Sequence, residues 1–160
     1  MKIGIMVYSN TGNTLSVAQR LKERLIMEGH LVNLVKVEAV GKTVSSFENV
    51  QLKNAPEIDE YEALIFAAPV QGNALSPVMY KYLSQLETLK GKLIAGFVTQ
   101  AFPFESMGGT SAIKQMKEIC EIKGGSTCET GIINWLNINR ERKIKDTLDK
   151  LARAIPSFGE

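Results

Sequence analysis

The feature that most constrains this chain is an alternation, repeated from end to end, of short β-rich apolar runs with longer amphipathic stretches. Lys2 to Tyr8 is a continuous run of the first kind, suited to a strand buried on both faces. Asn13 to Met27 is of the second kind. There Leu15, Ala18, Leu21, Leu25 and Ile26 recur at helical spacing, and Gly29 supplies the stop. A second strand is expected over Leu31 to Val40 and a third over Ala63 to Ala68, ended by Pro69. Between them, residues 41–61 read as a polar connection with no long helix. Ser76-Pro77 is a cap-then-proline start for a helix running to about Leu86. Lys92 to Thr99 reads as the fourth strand, and a helix follows from about Thr110 to Lys123, broken by Gly124-Gly125. Thr127 to Trp135 reads as the fifth strand, and Asn139 caps a last helix to about Ala154.

Strands and helices alternating in a chain of 160 residues predict one α/β domain spanning 1–160. Its sheet should be parallel, with right-handed crossovers and helices on both faces. At this length folding buries roughly 70% of the unfolded chain's surface, so the core needs no staples. Cys120 and Cys128 fit neither a zinc pattern nor C-x-x-C, and read as core or near-surface thiols.

Composition narrows the classes of function. Hydrophobic residues at 44% and charged residues at 22% suit a soluble globular protein. No apolar run approaches ~20 residues, so no membrane span is expected. Met1 to Val7 reads as a strand rather than a secretory leader, and a cytoplasmic location is expected. The net charge is +2, with nineteen basic residues spread along the chain. Their mild cluster at Arg140, Arg142, Lys143 and Lys145 reads as the solvated face of the last helix, not a nucleic-acid surface. His30, the single histidine, falls in a turn and reads as a surface residue; Asp59 and Glu60 read as solvated. No carboxylate pair, metal-ligand cluster or acyl-transfer triad is recognisable, so no catalytic or metal-binding residue is assigned. Any redox chemistry must then come from a cofactor.

Parallel sheets of this kind bind ligands beyond the carboxyl ends of their strands, which directs attention to the loops there. After the first strand comes Ser9-Asn10-Thr11-Gly12-Asn13-Thr14, six consecutive small polar residues opening a helix. Hydroxyls, side-chain amides and backbone N–H groups converge there, Gly12 permits close approach, and the helix dipole adds positive potential. Together they suit a phosphate monoester. The Walker pattern and the G-x-G-x-x-G fingerprint are both absent. So are the cysteine of a phosphatase loop and the carboxylates of a receiver domain.

The strand, the Ser9-x-Thr11-Gly12-x-Thr14 loop and the amphipathic helix together resemble the phosphate-binding signature of the flavodoxins. The resemblance implies a flavodoxin-like three-layer sandwich with a five-stranded parallel sheet in the order 2-1-3-4-5, holding FMN non-covalently. It implies that Pro69, Val70, Gln71, Gly72 and Asn73, after the third strand, lie along the flavin ring. A Gly72 peptide carbonyl would accept a hydrogen bond from flavin N5–H after reduction. It implies too that Thr99, Gln100, Ala101 and Phe102, with Gly108 further along, face the polar pyrimidine edge. Phe102 and Phe104 are the candidates for ring contact, and Trp135 is placed away from these loops. The function implied is electron transfer, with a redox partner protein or a small-molecule acceptor. An NAD(P)H-dependent quinone reductase of the same fold is the alternative, and a flavin-free binding module a third reading. The slightly basic charge departs from the acidic electron carriers. The donor, the acceptor and the oligomeric state stay open.

Overall fold

A computed structural model describes residues 1–41, 47–102, 104 and 107–156. The first apolar run forms β1 (Lys2–Val7), and the helical stripe after it forms α1 (Asn13–Met27). Then come β2 (Leu31–Lys36), a 3₁₀ turn (Phe47–Asn49), β3 (Ala63–Gln71), a short β4 (Ala74–Leu75) and α2 (Pro77–Gln85). β5 (Leu93–Gln100), α3 (Gly109–Ile122), β6 (Ser126–Asn134) and α4 (Arg140–Ala154) complete the chain. The parallel path is β2-β1-β3-β5-β6, with β4 paired antiparallel to β3. Leaving β4 aside, this is the expected 2-1-3-4-5 order.

Alternation along the strands divides the core in two. Ile3, Ile5 and Val7 of β1 face Val17, Leu21 and Leu25 of α1 and Leu148 and Leu151 of α4. Met6, Leu64 and Phe66 face Val78, Met79 and Leu83 of α2 and Met116 and Cys120 of α3. Burial of this kind, at about 25 cal/mol per Å² of apolar surface, is what holds helices to both faces. Its consequence for function is geometric: β1, β3 and β5 end side by side at one edge, with the helix N-termini beside them.

Several sequence expectations need correction. β2 ends at Lys36 and not at Val40, because β1 has no residue left to pair beyond Val7. The Asn54 side chain takes over instead, donating to the Lys36 carbonyl at 2.6 Å and accepting from Glu38 N–H at 2.7 Å. The connection at 41–61 is polar as read, but residues 42–46 lie outside the described residues.

Pro69 does not end β3, which continues to Gln71. At Pro69 the β1 ladder has already stopped, so the missing N–H removes no bond on that side. Ser76 and Asn139 occupy N-cap positions, yet neither side chain makes a capping hydrogen bond. His30 is buried rather than exposed, with Nδ1 at 3.1 Å from the Met1 ammonium. Glu60 is paired, accepting from Lys2 Nζ at 2.7 Å in a half-exposed contact. Cys120 is buried, which pushes its thiol pKa up to about 12, whereas Cys128 is exposed. Among the described residues, no helix is long and apolar enough to cross a membrane.

Candidate functional site at the carboxyl edge

The loop from Ser9 to Thr14 is organised from within. Ser9 Oγ accepts hydrogen bonds from Gly12 N–H at 3.1 Å and Leu15 N–H at 3.2 Å. The Gly12 carbonyl accepts from Ser16 N–H at 3.0 Å. Among the described residues the backbone N–H groups of Asn10, Thr11, Asn13 and Thr14 have no protein acceptor. A cluster of unspent donors at the positive end of α1 is the arrangement an oxyanion completes. Thr14 differs from its neighbours. Its side chain is buried, and its hydroxyl meets that of Thr99 at 2.7 Å, tying α1 to the end of β5.

After β3 the chain turns back at once. Val70 pairs with Leu75 and Gln71 with Ala74, leaving Gly72 and Asn73 as a two-residue turn, each with φ +59°. Positive φ at both central residues is the signature of the type I′ turn, whose twist matches that of paired strands. The Gly72 peptide therefore stands at the exposed tip of a hairpin, not in an extended strand-to-helix loop. Leu75 N–H donates to Gln115 Oε1 of α3 at 2.8 Å, which fixes the hairpin from behind.

The loop after β5 is held by two facing amides. Gln100 and Asn134 are register partners in the β5–β6 pair. Gln100 Nε2 donates to the carbonyls of Phe102 at 3.3 Å and Phe104 at 2.5 Å, and Asn134 Nδ2 donates to Phe102 at 3.1 Å. Phe102 and Phe104 themselves remain exposed. Gly108, with φ +112°, packs against the hairpin so closely that a Cβ would lie 2.7 Å from Val70 Cγ1 and 2.9 Å from Asn73 Cα. It joins the hairpin to the loop after β5.

A cavity of about 360 Å³ opens between these loops. Asn10, Thr11 and Asn13 line it from the first loop, Pro69, Val70 and Gln71 from the end of β3, and Thr99, Gln100 and Ala101 from the end of β5. Its remaining walls are Trp135 and Leu136, and none of its lining residues is charged. Phe102, Asn73 and Gly108 lie outside it, around a shallow hollow of about 440 Å³ with Met107 and Ser111. Ser9 and Gly12 face a third space of about 450 Å³ beside Lys36, Glu38 and Lys53.

Trp135 corrects the sequence reading. The pairing of β5 with β6 continues past the strand ends, with Trp135 N–H donating to Gln100 at 2.7 Å and Leu136 N–H to Ala101 at 3.3 Å. That carries Trp135 into the wall of the cavity. Its position at the carboxyl end of its strand was the available signal, since every such end lies at this edge. Asn134 was missed because an amide inside an apolar strand shows its purpose only once its register partner is known.

Residues 5–118 match the family described as the flavodoxin domain. This chain belongs to that family. Among curated proteins nothing matches this flavodoxin-domain chain. Solved structures do. The flavodoxin of Megasphaera elsdenii, in its two-electron reduced form, superposes with a TM-score of 0.69 at 22% identity, over 95% of this chain and 99% of its own. A flavoprotein from Lactobacillus acidophilus NCFM, solved in complex with FMN, gives 0.64 at 15% identity, over 91% and 97%. A flavodoxin from Pseudomonas aeruginosa gives 0.66 at 18% identity, over 96% and 98%. At such identities the likeness is one of fold.

Proposed function

We propose that this flavodoxin-domain protein binds FMN non-covalently at the carboxyl edge of its sheet and passes electrons through it. The observation that carries the reading is the set of unspent N–H donors at Asn10, Thr11, Asn13 and Thr14, three of these residues lining an uncharged cavity of about 360 Å³. The Thr11 hydroxyl and the Asn10 and Asn13 amides add donors there, which is what a phosphate monoester needs in the absence of a cation in the loop. The neighbours' FMN complex and reduced flavodoxin support the same ligand.

When bound, FMN supplies the redox chemistry. The chain's own residues bind and orient. The first loop takes the phosphate. Pro69, Val70 and Gln71 on one side and Thr99, Gln100 and Ala101 on the other provide the slot for the ring. The Gly72 peptide, at a positive-φ hairpin tip, is free to present its carbonyl to a protonated ring nitrogen. Exposed Phe102 leaves one approach to the ring apolar.

A quinone reductase reading draws on one observation. The shallow hollow of about 440 Å³ beside Phe102 and Met107 offers a small acceptor an exposed, partly apolar surface. One experiment separates the two. The purified protein should show flavin absorption, or regain it on titration with FMN, and NADH or NADPH alone should not bleach it. Failure to bind FMN would end both readings. Rapid bleaching by a nicotinamide cofactor without a partner protein would replace the carrier with the reductase.

A further inference from the structure

Every side chain lining the candidate flavin cavity is uncharged, yet a cation is held directly against one of its walls. The Arg140 guanidinium lies over the Trp135 ring, 4.6 Å from its centroid. Arg140 Nη1 also donates to the Trp135 carbonyl at 3.1 Å. Two contacts to one residue, a stacked face and a carbonyl, fix a side chain that is otherwise among the most mobile. Among the described residues no carboxylate pairs with Arg140. Glu141, the next residue, is engaged by Arg20 at 3.1 Å. Arg24, by contrast, is neutralised twice, by Glu28 at 2.8 Å and Asp149 at 2.6 Å. Arg140 is therefore an immobilised charge with no carboxylate partner among the described residues, held on the ring of a tryptophan that lines the same cavity as Asn10, Thr11 and Asn13.

We propose that the Trp135–Arg140 pair makes this site selective for the phosphorylated flavin. It does so by lending the cavity a full side-chain positive charge, beyond the partial charge of the α1 N-terminus, because the loop itself has no cationic side chain. The proposal rests on the flavin reading given above. The loop offers neutral donors, which suit a phosphate but also tolerate a neutral hydroxyl. A fixed cation adds the discrimination: it favours a dianion and is indifferent to a neutral ligand. Arg140 is thus a selectivity residue acting through Trp135, and it does not itself line the cavity.

The test compares FMN with riboflavin, which differ only in the phosphate. Both are titrated into the apoprotein by flavin fluorescence, in wild type, Arg140→Gln and Arg140→Lys. The readout is the ratio of the two dissociation constants. For a cation ~10 Å from a phosphate, an effective dielectric of ~20 alone would give more than tenfold per phosphate charge, and salt screening over that distance brings the expected change in affinity to about tenfold. Arg140→Gln should therefore reduce the FMN-to-riboflavin preference about tenfold and leave riboflavin affinity unchanged, while Arg140→Lys should retain most of the preference. In wild type the preference should shrink as salt is raised.

An unchanged ratio in Arg140→Gln, or an equal loss for both flavins, overturns the proposal. Should Arg140→Gln fail to fold, the wild-type salt series and Arg140→Lys decide: a ratio independent of salt, or abolished by lysine, overturns it. Wild type binding neither flavin is a different result, because it removes the flavin reading itself. Binding of both flavins by wild type with no effect at Arg140 removes only this inference.

Discussion

The Thr14 and Thr99 hydroxyls meet at 2.7 Å inside the protein, joining the first turn of α1 to the end of β5. Both side chains are almost fully enclosed, with exposures of 1% and 4%. Thr99 is also the register partner of Pro69 and of Ile133, so one hydrogen bond ties the loop after β1 to three strand ends. Breaking it from one side strands a buried hydroxyl, at a cost of ~1–3 kcal/mol, whereas replacing both partners by apolar groups of the same shape is nearly neutral. Thr14→Val and Thr99→Val should each lower stability by about that amount. The double variant should lose clearly less than their sum. Urea unfolding of the four proteins measures the coupling, and strictly additive losses would show that the contact contributes nothing.

Thr11 is the counterpart that holds nothing together. It is exposed, and its side chain makes no hydrogen bond among the described residues. Thr11→Val should leave the urea midpoint where it is. It should weaken FMN binding by ~1.5–3 kcal/mol, the value of a hydrogen bond to a charged group. Equal FMN affinity in a fluorescence titration would remove Thr11 from the phosphate site.

Gly108 and Gly72 both have positive φ, but only one of them is crowded. A Cβ at Gly108 would press on Val70 and on the Asn73 backbone, whereas one at Gly72 would meet nothing within 4 Å. Gly72→Ala should cost only the left-handed conformation, about 1–2 kcal/mol. Gly108→Ala adds ~1–3 kcal/mol of overpacking to that, and it should part the hairpin from the loop after β5. Thermal unfolding should place Gly108→Ala well below Gly72→Ala. Equal melting temperatures would mean that the two loops do not depend on this contact.

What could be read from the sequence divides along a physical line. Periodicity reports burial, so β1, α1, β5, α3, β6 and α4 were legible to within a residue or so at each end. The donor-rich loop from Ser9 to Thr14 was legible because its small polar residues are consecutive. The β3–β4 hairpin was not, because Pro69 reads as a terminator unless the neighbouring ladder is known to have ended. Gly72-Asn73 is a hairpin signal, but its returning strand has only Ala74 and Leu75. Trp135, Asn134 and His30 were misjudged or missed for one shared reason. Their surroundings are made by residues far away in the chain, through Gln100, Phe102 and Met1 respectively.

His30 gives the protein a pH dependence whose direction can be worked out. The ring is buried, and its Nε2 has no hydrogen-bond partner among the described residues. Burial lowers its pKa from the usual 6.5, the nearby Met1 ammonium lowers it further, and only Glu28 pulls the other way. Above the unfolded value both states are neutral, so stability is at its full level there. Below 6.5 the unfolded chain takes up the proton first, and stability falls until the folded-state pKa is reached. The slope for one proton cannot exceed about 1.4 kcal/mol per pH unit. The Arg24-bonded carboxyl of Asp149, depressed below its usual 3.8, loses its contribution only at lower pH, outside the interval from pH 7.5 to 5. Urea midpoints measured from pH 7.5 down to 5 should fall in wild type and fall less steeply in His30→Asn. If both proteins lose stability in parallel over that interval, the histidine is not the group responsible.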